Sequence, residues 1–201
     1  MKQARFSAVI AITLVNFLVP VSSALCQGQT KVTVQWKYPE TVPFDVGGNN
    51  MKEFWEKSTE LAKEHHGHVG WTDRSASKPE WTLEGDNVTE LILVEQLVIH
   101  LPNWTNYLSQ PSECRQMFDK YLESIKTHEQ RHVDDIKKIA EEVAYEMRLE
   151  SVTKSEYLKL QRVKEWSDGK DSILRQRCDK ASEEFHSTSE GGKAPTLYDC
   201  P

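Results

Sequence analysis

The sequence predicts an α+β fold, a small N-terminal antiparallel sheet packed with one long helix and shorter C-terminal helices. Three observations carry that expectation. Period-two strand patterns dominate residues 31–104, the period becomes helical from Ser112 onward, and that helix contains His128-Glu129-Gln130-Arg131-His132.

The elements follow in order. Residues 31–38 alternate, with Val32, Val34 and Trp36 on one side, and Pro39, Pro43 and Gly47-Gly48 predict a loop. Asn50 predicts the N-cap of a helix from Met51 to about Glu64, its inner face holding Phe54 and Leu61. Trp71 and Trp81 lie on short strand candidates between Gly67 and Gly85. The best strand is 90–102, where Leu91, Leu93, Leu97, Ile99 and Leu101 share a face, Glu95 is the exception and Pro102 is expected to end it. The strand around Leu91 to Leu101 is expected to lie along the cleft and pair with an extended substrate, as sheet edges can.

Steps of three and four connect Met117, Tyr121, Ile125, His128, His132, Ile136, Ile139, Val143 and Met147, the inner stripe of a helix of about 38 residues. A break at 150–152 leads into the capping-box pattern Thr153-Lys154-Ser155-Glu156 and a second helix reaching Trp166. Ser167-Asp168-Gly169 predicts another break, and a third helix runs from about Lys170 to His186. Residues 193–201 are expected to form an irregular tail.

Residues 1–24 have the three-part layout of a secretory signal peptide: Lys2 and Arg5, an apolar run over 6–21, and the small residues Ser22-Ser23-Ala24. The rival reading is an uncleaved anchor, which Asn16 and Pro20 disfavour. No later segment is apolar enough to span a bilayer, so the mature chain is expected to be secreted, or periplasmic in a bacterium. The formal charge of −6, or −8 without Lys2 and Arg5, argues against non-specific nucleic-acid binding. Export makes disulfides the default for the cysteines; a hairpin closed near Val152 favours Cys114–Cys200, then Cys114–Cys178. Asn87-Val88-Thr89 and Asn103-Trp104-Thr105 are glycosylation sequons only in a eukaryotic secretory pathway.

The chemistry centres on the HExxH motif. Residues four apart on a helix share a face, so His128 and His132 can reach one Zn²⁺. Glu129 projects beside them as the general base for a water activated by the metal. The competing explanation is two core histidines on a helix, yet burying two imidazoles and a carboxylate without partners is costly. The third protein ligand is open among His186, Glu150 and Glu156, the last two lying 18 and 24 residues after His132. Asp135 reads as a solvated helix charge, His65, His66 and His68 as a helix C-terminus, and His100 as a surface residue. Cys178 has no thiol-protease pattern around it.

The order of these features resembles the family of predicted secreted zinc-dependent proteases catalogued as a domain of unknown function, found mainly in bacteria. The resemblance rests on Trp71-Thr72-Asp73, on the strand LVIHLPNW ending at Trp104, and on HEQRHVDD from His128 to Asp135. It covers about residues 31–192 and implies a zinc metallopeptidase domain there, with His128 and His132 as ligands, Glu129 as base and a peptide or protein substrate. It also implies a terminal histidine where this chain has Gly191, with His186 available to compensate. The expectation is a secreted, zincin-like zinc metallopeptidase; the alternative is a secreted binding module that keeps the fold without catalysis.

Overall fold

A computed structural model describes residues 28–63, 69–76, 78–169 and 172–188. The signal segment, Cys26, the cluster His65, His66 and His68, Gly191, Cys200 and the tail lie outside the described residues. The order is β1 (Lys31–Val46), α1 (Met51–Ala62), β2 (Trp71–Ala76), β3 (Glu80–Glu84), β4 (Asn87–Trp104), α2 (Ser112–Lys154), β5 (Leu158–Lys159), α3 (Leu160–Ser167) and α4 (Ile173–Thr188). This is a mixed α+β fold. No helix among the described residues is long and apolar enough to cross a membrane.

The sheet is mixed rather than antiparallel. β1 runs parallel to β4 from Lys31↔Glu90 to Val46↔Trp104, while β2, β3 and β5 join β4 antiparallel. A parallel neighbour requires a crossover, and the chain from Gly47 through α1, β2 and β3 supplies it. That pairing also explains why the prolines do not end the strands. β1 is an edge strand, so Pro39 and Pro43 need no second neighbour, and a register shift falls between Lys37 and Glu40. Pro102 lies beyond the last β2 pair, Trp71↔His100, and opposes only Phe44 of β1.

β4 is therefore the central strand, paired on both sides over most of its length rather than lying at a sheet edge. Its apolar positions behave as the pattern predicts: Leu91, Leu93 and Leu97 are fully buried and Leu101 nearly so. Glu95 is buried too, held by Arg74 through Nε–Oε2 at 2.8 Å and Nη2–Oε1 at 3.4 Å. A carboxylate enclosed this way requires such a partner, because its desolvation is otherwise uncompensated.

α1 starts where Asn50 caps it; the Glu53 amide donates to Asn50 Oδ1 at 2.9 Å. Its buried face is Met51, Phe54, Ser58 and Ala62, and Leu61 is exposed instead. The chain enters α1 through Gly48 at φ +148, where a Cβ would stand 2.4 Å from the Phe54 nitrogen. The Gly48 carbonyl accepts the Trp104 indole N–H at 2.8 Å, joining the end of β4 to this turn.

α2 is one continuous helix of 43 residues, longer than predicted. Thr153 and Lys154 belong to its last turn, and Ser155 (φ 50) closes it in the left-handed region rather than opening a new helix. The chain then pairs Leu158 with Val88 before α3 begins, so the predicted second helix is shortened at its start. Two apolar clusters hold α2 to the sheet. Phe118, Tyr121 and Ile125 pack with Phe54, Leu101 and Trp104; Ala140, Val143, Ala144 and Met147 pack with Val88, Leu91, Leu93, Val163, Trp166 and Leu174. Residues 128–136, the HExxH segment, lie between them.

Candidate metal centre

The buried stripe of α2 runs through Ile125, Glu129 and Val133, not through the two histidines. His128 and His132 flank that stripe and are partly buried. The expectation that both histidines occupy the core-facing stripe is thus displaced by one residue. The cause is tertiary: α2 packs on the sheet along one face and on α4 along the neighbouring face. The histidines serve the second contact and Glu129 the first.

α4 brings the third imidazole. His132 Nε2 lies 3.2 Å from His128 Nε2 and 3.0 Å from His186 Nε2. The His128 and His186 rings are stacked at 5.4 Å and 4°, and Phe185 packs against His128 and His132 at 4.8 and 5.0 Å. Among the sequence candidates for third ligand, His186 is the one placed with the pair. Glu150 follows His132 on the same helix by about 27 Å at ~1.5 Å per residue, and it is bonded by Lys154 instead. Glu156 lies farther along the chain, past the end of α2.

The three histidines offer ligand atoms that all lie within 4.8 Å of one another. One ring nitrogen carries either a proton or a lone pair, so His132 Nε2 is poorly matched to two neighbouring ring nitrogens at once. A cation shared among three lone pairs suits the arrangement better, and the donor set fits a metal ion.

Glu129 faces the sheet. Thr72 Oγ1 donates to its Oε2 at 2.8 Å, and Gly70 provides the room. A Cβ on Gly70 would meet Ile125 Cγ2 at 2.4 Å and approach Glu129 Cγ at 3.7 Å. Burial pushes the Glu129 carboxyl up to about 7, against the opposing effect of the Thr72 hydrogen bond. A value raised above the ordinary 4.5 means that folding favours the protonated form. That stabilisation is full below about pH 4.5 and is lost as pH rises through about 7. In metal-free protein, Glu129→Gln is therefore expected to flatten the fall in melting temperature across this window, read by thermal melts in chelator.

Thr72, Arg74, Glu129, His132, Asp135 and His186 line one cleft of about 1010 Å³ between β2, α2 and α4. Asp135 is partly buried there and accepts from Arg131 at 3.2 Å, so it is more than a solvated charge. Cys178 also lines the cleft, but burial pushes its thiol up to about 11, which makes it a poor nucleophile. Cys178 is free and Cys114 is disulfide-bonded, so the Cys114–Cys178 pairing is ruled out. The Cys114–Cys200 expectation falls on a residue outside those described. His100 is not a plain surface residue: its ring stacks on Trp71 at 4.6 Å and its Nε2 lies 2.9 Å from Asp73 Oδ2.

A family model described as a bacterial protein of unknown function, DUF922, matches residues 41–192. The chain belongs to DUF922. The matched span takes in the central strand, the HExxH helix and α4, so every residue of the triad lies inside the DUF922 region. Comparison with curated proteins and with solved structures finds no match to the chain. Sequence reasoning left Gly70 and Thr72 without a role, although Trp71-Thr72-Asp73 marked that strand. The one local signal was a glycine immediately before a short strand, a mark of close backbone approach.

Proposed function

We propose that this chain is an exported zinc-dependent metallopeptidase that hydrolyses peptide bonds. The reading rests on the convergence of His128, His132 and His186, two of which, His132 and His186, line one cleft with buried Glu129. Three neutral imidazoles with a further position open are a donor set that zinc takes in hydrolytic centres. When bound, zinc supplies a Lewis acid for the scissile carbonyl and lowers the pKa of water toward ~7. Glu129 accepts a proton from the attacking water and passes it to the departing amine. In the metal-free protein, burial raises its carboxyl above the ordinary glutamate value, the direction that a general base at neutral pH requires. The cleft is at the upper end of the roughly 300–1,000 Å³ of small-molecule pockets, which suits an extended chain.

A zincin-like classification belongs to the same reading: a mixed sheet lies against a long HExxH helix, and a later element supplies the third ligand. Export is supported by the layout of residues 1–24 and by the disulfide at Cys114, which suits an oxidising compartment. The alternative, a binding module without catalysis, has Gly191 in its favour, where the resemblance implies a histidine; His186 beside the other two imidazoles counts against it.

Metal analysis of the mature protein, coupled to digestion of an unfolded protein substrate, tests the proposal. About one zinc per chain is expected, together with cleavage that stops on chelation. Zinc-free wild type rejects the reading. Zinc-loaded protein that cleaves nothing in a peptide library leaves the binding module.

A further inference from the structure

We infer that Thr72 is a positioning residue for Glu129, fixing which carboxylate oxygen is presented to the cleft. This rests on the metallopeptidase reading for its catalytic meaning, but its geometry stands independently. Three observations converge. The Thr72 hydroxyl donates to Glu129 Oε2 at 2.8 Å, from a strand that pairs Thr72 with Ile99 of β4. Glu129 is 2% exposed, so water cannot readily replace that donor. Gly70, two residues earlier on the same side of the chain, lets the backbone approach α2 at Ile125, one turn below Glu129.

The bracket is therefore built from both directions. The glycine sets how closely the start of β2 meets the helix, and the threonine hydroxyl then meets the carboxylate. A glutamate has three side-chain torsions, and burial alone does not choose between its two oxygens. A hydroxyl donor on Oε2 does choose, leaving Oε1 as the oxygen available to a water. The preference for threonine is physical as well. Its β-branch suits a strand and holds χ1, whereas serine keeps the donor with a looser rotamer.

The test compares full-length wild type, Thr72→Val and Thr72→Ser, each loaded with zinc. Valine keeps the shape and removes the donor. The expected result for Thr72→Val is a roughly 10- to 100-fold fall in kcat with KM and zinc content unchanged and the protein still folded at the assay temperature. Thr72→Ser should recover kcat to within about threefold of wild type. A Thr72→Val enzyme with wild-type kcat overturns the inference while leaving the metallopeptidase reading intact. So does a loss that serine fails to repair. If wild type cleaves nothing, the metallopeptidase reading has failed, and crystal structures of wild type and Thr72→Val decide the positioning role. A carboxylate turned away from its wild-type position supports it; an unmoved one overturns it.

Discussion

Glu129→Gln is expected to lower kcat by roughly 10²- to 10⁴-fold while zinc content and folding are retained. The substitution removes the proton acceptor and changes little else, because glutamine has nearly the same shape and its amide can still meet the Thr72 hydroxyl. Glu129 is almost fully buried, so the neutral side chain also relieves a desolvation cost in the metal-free protein. The two effects run in opposite directions: less activity, and no less stability. Single-turnover cleavage of an unfolded protein, with metal analysis on the same samples, separates them. A Glu129→Gln protein that cleaves at the wild-type rate removes Glu129 from the chemistry and returns the motif to a metal-binding role alone.

The second large effect is on the metal. His186→Ala should weaken zinc binding by more than the roughly 10- to 100-fold typical of losing an outer partner, because it removes a direct donor. Chelator competition measures this. A second readout follows from linkage: zinc at about a thousandfold excess over its Kd should stabilise wild type by about 4 kcal/mol and the variant hardly at all. Glu150→Ala and Glu156→Ala should bind zinc as wild type does, since neither carboxylate reaches the triad. Wild-type affinity in His186→Ala would exclude the three-histidine centre.

The parts of the fold visible in the sequence were those decided locally. Asn50 caps α1 because its side chain bonds an amide three residues on, and β4 alternates because its own faces differ in burial. The HExxH pair is legible for the same reason, since helix geometry alone makes residues four apart neighbours. What failed was tertiary. Nothing in 31–46 announces that β1 runs parallel to β4, because the pairing spans about 60 residues and local patterns carry no direction. The prolines then misled, since their penalty depends on whether a second strand lies alongside. The inner stripe was displaced from Glu129 to the histidines because α2 has two neighbours, and a single period describes only one. His186 could be named as a candidate but not chosen, because the packing of α4 on α2 selects it.

The separation of the ligands along the chain imposes an order in time. His186 follows His132 by 54 residues, which is about 3–10 s of synthesis at roughly 5–20 residues per second. By the end of that interval the segments of every strand and the whole of α2 have been made, and the third imidazole comes after them. The three-histidine centre is therefore the last part of the described chain whose residues are all present. On the metallopeptidase reading, this order delays completion of the hydrolytic centre until the rest of the fold has been synthesised.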